Sequence, residues 1–241
     1  MTEQQRLERH IREKFVKAFA TYGLIDDGDH ILIGLSGGKD SLLLTETLAW
    51  RARIAHPRFE VEALHVRMAN IHYETDTSYL EQFCNSLGVR LHVVTTSFDA
   101  STDTRHTPCF LCSWMRRKQL FNVAQQLGCN KIALGHHQDD ILHTALMNLT
   151  FQGHFSTMPV KLRMRKMPLT IIRPLCLLAE ADIKTYAELA GYEKQLKLCP
   201  YEHDSNRTRI RHIYEELEQL NPEARYSLWN ALDSDHKLTE E

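Results

Sequence analysis

Apolar residues recur at helical spacing through Leu7, Ile11, Phe15, Val16 and Phe19 behind Thr2, a cap residue, and predict an amphipathic helix that ends near Gly23. The pattern then changes period. The run HILIGL from His30 to Leu35 reads as a short buried strand that passes through Ser36-Gly37-Gly38-Lys39-Asp40-Ser41 into an apolar helix from Leu42 to Trp50. Further strands are expected at Val61 to Met68, Arg90 to Thr95, Lys131 to Leu134 and Leu169 to Arg173. Helices are expected at Thr77 to Leu87, Arg116 to Leu127, Asp139 to Leu149, Glu180 to Ala190 and Ser205 to Leu220, with Gly88, Gly128, Gly191 and Pro222 as stops. Strands alternating with helices imply an α/β class fold, a doubly wound parallel sheet covered on both faces. Between Phe151 and Pro174 the periodicity fails in a basic, Met-rich connection, and the last residues, HKLTEE, are expected to fray.

Composition narrows the setting. A chain of 241 residues buries a substantial core without disulfides or metals. It has no apolar run near the roughly 18 residues of a membrane span, so no membrane association is expected. The opening MTEQQRLERHIREKF mixes acids and bases with no apolar core, which makes a cytoplasmic address the expectation. A net charge of -2 argues against nucleic-acid binding by the surface as a whole and leaves local basic patches open. Six cysteines in a cytosolic chain point to metal or redox chemistry wherever they cluster.

The turn from Ser36 to Ser41 carries the first chemistry. A strand entering a helix through Ser-Gly-Gly gathers unpaired backbone N–H groups at a positive helix end, a site for phosphate. Lys39 adds a charge, the Ser36 and Ser41 hydroxyls add donors, and Gly37 and Gly38 allow close backbone approach. A plain capped turn would need neither the lysine nor the aspartate. The spacing is not that of the Walker loop. SGGKDS resembles the PP-loop of N-type ATP pyrophosphatases. Two further segments agree with that resemblance: Leu64-His65-Val66-Arg67-Met68, and Gly135-His136-His137-Gln138-Asp139-Asp140, similar to the family's GHxxDD. Both lie at the carboxyl ends of predicted strands, where open α/β sheets bind ligands.

The resemblance implies that ATP is held at Gly34, Leu35, Ser36, Gly37, Gly38, Lys39, Asp40 and Ser41, with His65, Val66, Gly135, His136 and Asp140 completing the nucleotide site. It implies a reaction that releases pyrophosphate near Lys39 and leaves AMP on the substrate. Asp139 and Asp140 serve either Mg²⁺ or helix capping. Asp40 either orients Lys39 or acts on the substrate. We divide the chain into an N-terminal helix (1–24), a PP-loop ATP-binding domain (25–178) and a helical C-terminal extension (179–241).

The cysteines carry the second chemistry. Cys109 and Cys112 form a C-x-x-C pair at a helix start, where thiolates are favoured. Such a pair serves a dithiol, half a zinc site or two ligands of an iron–sulfur cluster. Cys84, Cys129 and Cys176 fall among apolar neighbours and read as packing, whereas Cys199 stands outside any such stripe as a third ligand. Cys109, Cys112 and Cys199, with Arg173-Pro174-Leu175, resemble the tRNA 2-thiocytidine synthetase family along nearly the whole chain. That resemblance implies a [4Fe-4S] cluster on the three cysteines, with one iron lacking a protein ligand, and a tRNA base as substrate. It also implies a separate sulfur donor such as a cysteine desulfurase. Zinc, with His106 or His203 as fourth ligand, is the alternative metal.

Arg173 is then expected to stabilise charge on an adenylated base, and Asp40, Lys39, Cys109 and Cys199 complete the catalytic set. Three basic runs are expected to flank the site and meet the RNA: Arg116 to Lys118, Lys161 to Lys166, and Arg207 to Arg211. A lysidine-synthetase-like ligase, which needs no clustered thiols, and a zinc-stabilised RNA-binding module without catalysis are the alternatives. A homodimer is the candidate assembly.

Overall fold

A computed structural model describes residues 2–99, 106–198 and 206–240. In chain order the strands are β1 (Asp29–Gly34), β2 (Phe59–Met68), β3 (His72–Tyr73), β4 (Arg90–Thr96), β5 (Lys131–Ala133), β6 (Lys161–Arg163), β7 (Thr170–Ile172), β8 (Lys197–Leu198) and β9 (Thr239–Glu240). The helices are α1 (Glu3–Tyr22), α2 (Lys39–Ala52), α3 (Ser78–Leu87), α4 (Pro108–Leu127), α5 (Gln138–Met147), α6 (Glu180–Leu189), α7 (Asn206–Leu220) and α8 (Ala224–Ser234).

The main sheet runs β4-β2-β1-β5-β7-β6-β9, with β3 and β8 forming a separate antiparallel pair. From β4 to β7 every pairing is parallel, β6 turns back antiparallel on β7, and β9 runs parallel to β6. Ile31, Leu32 and Ile33 of β1 are all fully buried, as a parallel strand covered on both faces requires. One face carries the larger core, built from α1, α2 and α6 over Ile31 and Ile33. On the other, Val123 and Ala124 of α4 pack over Leu32, Leu64 and Ile132.

Local signals set most boundaries. Thr2 and Gln5 form a capping box at α1, and Gly23 closes that helix in the left-handed region. The Thr107 hydroxyl accepts from the Phe110 N–H at 3.3 Å and Pro108 takes the first turn, so α4 starts well before the expected Arg116. Helix α5 stops at Met147 and continues as a π-helical turn from Asn148 to Gln152.

The C-terminal end corrects the expected fraying. Leu238 is 1% exposed, and its carbonyl accepts from the Val160 N–H at 2.6 Å before β9 joins the sheet. Helix α8, not anticipated from the sequence, is fixed by buried Trp229 and Leu232, with the Trp229 indole N–H donating to the Tyr22 hydroxyl at 3.2 Å. Leu238→Ala is therefore expected to lower stability by about 2–5 kcal/mol, the range for truncating a buried leucine. A denaturant titration checks this, and a change near zero would mean that the tail is not anchored.

Candidate functional site

Strand β1 lies between β2 and β5, and the chain leaves it toward β2 but arrives at β5 from the far side of the sheet. The loops that follow β1 and β5 therefore open beside each other, at the carboxyl ends where such a reversal forms a ligand crevice. Two glycines allow the close fit. A Cβ on Gly135 would lie 3.0 Å from the Asp40 carbonyl carbon and 3.1 Å from the Ser41 nitrogen, both backbone atoms. Gly37 has φ +84°, and a Cβ there would run into the Gln195 side chain, whose backbone N–H donates to the Gly37 carbonyl at 3.1 Å.

The crevice is a cavity of about 330 Å³. Leu64, Val66, Leu120 and Leu134 make an apolar wall, and Ser36, Ser41, Asp40 and Asp140 a polar one. Gly34, Leu35, Gly135 and His136 line it from the strand ends, while Arg116 of α4 and Arg207 of α7 bring positive charge. An apolar slot beside cationic and backbone donors suits a nucleotide. The loop is held by its own hydroxyls: Ser36 Oγ donates to Ser41 Oγ at 3.1 Å, and Ser41 Oγ accepts from the Gly37 N–H at 3.2 Å and donates to the Gly38 carbonyl at 2.9 Å.

Several expected nucleotide ligands stand outside the cavity wall. Gly37 and Gly38 shape the loop from behind it. The His65 side chain is buried under Leu35, whose carbonyl accepts from its Nδ1–H at 2.8 Å, while the flanking Leu64 and Val66 line the cavity. Burial lowers the His65 pKa and keeps that imidazole neutral. The Lys39 ammonium lies against Asp40, at 3.0 Å, and Glu180, at 3.1 Å. Burial disfavours its charge, but the two carboxylates outweigh this and raise its pKa. Glu180 also pairs with Arg211 of α7 at 3.1 Å.

Arg173 is buried, and its Nε–H donates to His136 Nδ1 at 3.2 Å while an NH1 hydrogen reaches the Pro159 carbonyl. Burial, with Arg173 adding to it, pushes the His136 pKa down to about 4. His136 is therefore neutral, and because its Nδ1 accepts from Arg173 its proton sits on Nε2. Arg173 acts on the cavity through His136.

The adjacent aspartates have separate duties. Asp139 is buried and accepts from the Arg225 guanidinium at 2.6 Å and from the Glu180 N–H at 2.8 Å, tying α5 to α6 and α8. Burial raises its pKa, but the nearby His137 ring and the hydrogen-bonded Arg225 guanidinium outweigh this and hold it well below the carboxylate range. Asp139 is thus a structural anchor, and Asp140 is the carboxylate that lines the cavity. Asp140 Oδ2 also accepts from the His137 N–H at 3.3 Å, closing the first turn of α5.

His137 sits amid three carboxylates, with nitrogens 3.6 Å from Asp139, 3.4 Å from Asp140 and 3.9 Å from Asp40. Burial lowers its pKa, yet these acids raise it above its ordinary value overall. A raised folded-state pKa contributes stability that is fully present below the unfolded value of about 6.5 and is lost as pH rises through the folded value. The stability difference between the wild type and His137→Gln is expected to be larger at pH 6 than at pH 9 in thermal unfolding. A difference that grew with pH would contradict the charged cluster.

Cys109 and Cys112 occupy the first turns of α4, exposed and half-buried respectively. At roughly 100° per residue, Cys109, Cys112, Arg116 and Leu120 fall on one face of that helix, and the last two line the cavity. Soft sulfur ligands suit an iron–sulfur or zinc centre, so the residues present fit such a group in type. The third predicted ligand, Cys199, and the alternative zinc ligand His203 lie outside the described residues. Among the described residues, no three His, Cys, Asp or Glu side chains gather closely enough to hold a metal.

The basic runs divide. Arg116 and Arg207 reach the cavity. The middle run does not flank it as a whole: Arg163 pairs with Thr170, and Thr170 pairs with Lys131 at the start of β5. The turn carrying Arg165 and Lys166 therefore lies at the amino ends of the parallel strands, opposite the cavity. An antiparallel hairpin reverses direction once more than a plain strand connection, which the sequence pattern did not show. Glu180, Gln195 and Arg225 were not anticipated either, because each acts across more than 85 residues of chain.

The PP-loop domain family matches residues 4–217. A tRNA-cytidine(32) 2-sulfurtransferase of Bordetella avium is 35% identical over 236 residues, covering 95% of this chain and 74% of the relative. One from Pelobacter propionicus is 34% identical over 249 residues, covering 98% and 91%. Among solved structures, the U34-tRNA thiolase NcsA from Methanococcus maripaludis superposes with a TM-score of 0.79 at 24% identity, covering 96% of this chain and 79% of that one, a likeness of fold. Identity at this level over nearly the full chain, with the glycine-bounded loop and α4 cysteines in place, means that the chain belongs to the tRNA-cytidine(32) 2-sulfurtransferase family of PP-loop proteins.

Proposed function

We propose that this chain is an ATP-dependent tRNA sulfurtransferase that adenylates the C2 carbonyl oxygen of a cytidine and replaces that oxygen with sulfur. The observation that carries the reading is the single face of α4, on which Cys109 and Cys112 stand in line with Arg116 and Leu120 of the nucleotide cavity. An activated base and a thiolate-held centre then share one opening. Relatives similar over nearly the full chain bear this activity in their names.

ATP places its adenine against Leu64, Val66 and Leu120 and its phosphates toward the N–H groups at the start of α2. Asp40 and Asp140 are the cavity carboxylates suited to Mg²⁺ on the phosphates. The neutral His136 offers its Nε2–H as a donor, fixed by Arg173, and Arg207 adds positive charge. The cytidine oxygen attacks the α-phosphorus, a new O–P bond forms, the bond to the β-phosphate breaks, and pyrophosphate leaves. Lys39 meets that charge by exchanging Glu180 for phosphate. The C2–O bond then breaks as sulfur takes the carbon and AMP departs with the oxygen.

Cys109, Cys112 and Cys199 are the residues that would hold a [4Fe-4S] cluster. Bound by three thiolates, such a cluster supplies an iron without a protein ligand, open to a sulfur atom. Support for Cys199 as the third ligand comes from β8, which directly precedes it in sequence. Strand β8 pairs with β3, and the Tyr73 hydroxyl of β3 accepts from Arg116 at 3.0 Å. The sulfur arrives from a separate donor at the sulfide level, either as sulfide itself or as the persulfide sulfur of a cysteine desulfurase together with two electrons from an external thiol reductant.

Incubation of the anaerobically purified protein with ATP, a sulfide source and tRNA lacking the modification tests the reading. AMP and pyrophosphate are expected in step with sulfur incorporation, with no ADP. Amino-acid attachment to the tRNA would instead identify a lysidine-type ligase, and absence of pyrophosphate release with any tRNA would leave an RNA-binding module.

A further inference from the structure

We infer that the outer flank of α4, formed by Phe110 and Trp114 with Lys118, is a stacking platform for unpaired nucleotides of the tRNA loop that enters the site. Phe110 is 49% exposed and Trp114 51% exposed, an unusual cost for two large rings one turn apart on one helix. The flank is already arranged as a ladder. The His106 ring stacks on Phe110 with centroids 4.4 Å apart and planes within 14°, and the Lys118 ammonium lies over the Trp114 ring, 5.5 Å from its centroid.

Helix α4 owes little of this end to the core. Its only buried residues among those described are Val123 and Ala124, in the carboxyl half. The aromatic flank is rotated roughly 100–180° from the Cys109, Cys112 and Arg116 face, at about 100° per residue. A strand of RNA bending around the amino end of α4 would thus present one base to the cavity and its neighbours to the rings.

Charge chooses the occupant. Flat aromatic rings interleaved with cations match single-stranded nucleic acid, whose bases stack on the rings while phosphates meet the ammonium and guanidinium groups. Arg116, Arg117 and Lys118 follow Trp114 directly in the chain. An acidic or apolar protein partner would use the cations or the rings, and RNA uses both. The platform rests on the proposed tRNA reading and adds to it the side chains that receive the bases beside the target.

The test is the affinity of the full-length protein for an unmodified substrate tRNA, measured for the wild type, Phe110→Ala, Trp114→Ala, Trp114→Phe and Lys118→Ala over a salt series. Loss of one stacked base is expected to weaken binding about tenfold to a hundredfold in each ring-to-alanine variant, with the salt slope unchanged and Trp114→Phe close to wild type. Lys118→Ala is expected to reduce the salt slope by about one instead. ATP binding, unaltered in all four variants, verifies the fold. Wild-type affinity in both ring-to-alanine variants would overturn the platform while leaving the tRNA reading intact. Failure of the wild type to bind any tRNA would overturn both.

Discussion

Replacing Cys112 with alanine is expected to reduce sulfur insertion by more than about a hundredfold while leaving ATP binding unchanged. Altering even outer-shell partners of a metal centre costs about 10–100-fold, and removing a direct ligand costs more. Cys112 is half-buried in the opening turns of α4, one turn from Arg116, and its loss removes a small thiol without opening the core. Iron and acid-labile sulfide content should fall together in the purified variant, a readout independent of turnover. Nucleotide affinity should hold, because the adenine wall and the phosphate loop lie on other residues. Full iron and sulfide content in Cys112→Ala would remove this cysteine from the ligand set, and zinc without sulfide in the wild type would favour the alternative metal.

Gly135→Ala is expected to lower kcat/KM for ATP by about a hundredfold, the scale on which a misplacement near 1 Å acts. The added methyl meets backbone, the Asp40 carbonyl group and the Ser41 nitrogen, at 3.0–3.1 Å, and no side-chain rotation can relieve that contact. Either the start of α2 or the loop after β5 must move, and those two segments form the crevice. Overpacking of this kind also costs about 1–3 kcal/mol of stability. Steady-state kinetics with thermal unfolding separate the two effects. Unchanged ATP kinetics in a folded variant would show that the two loops do not act as one site.

The parallel sheet and its phosphate loop were legible because their signals are local. HILIGL, the two glycines and the apolar α2 specify strand, turn and helix within about twenty residues of sequence. The C-x-x-C pair was legible too, but its alignment with Arg116 and Leu120 was not, because the helix expected from Arg116 in fact begins at Pro108 and so carries all four residues on one face. Other features depend on partners far along the chain. Helix α8 has weak periodicity and stands on Trp229 meeting Tyr22, and β9 exists because Leu238 finds Val160.

The two neighbouring aspartates illustrate the same limit at the site. Sequence adjacency gave them similar candidate duties, yet successive helical positions point about 100° apart. Asp139 is thereby turned to Arg225 and the start of α6, while Asp140 faces the cavity. Lys39 likewise carried the expected charge, but its contacts with Asp40 and Glu180 follow only from the approach of α6. Glu180→Gln removes one of those two carboxylate partners.

Nucleoside mass spectrometry of tRNA after reaction with ATP and a sulfide source tests the central claim most directly. The account predicts ATP-dependent conversion of cytidine to 2-thiocytidine, one oxygen exchanged for one sulfur, with the product absent for Cys112→Ala. Unmodified cytidine in the presence of an iron- and sulfide-loaded protein that still cleaves ATP to AMP and pyrophosphate would contradict it.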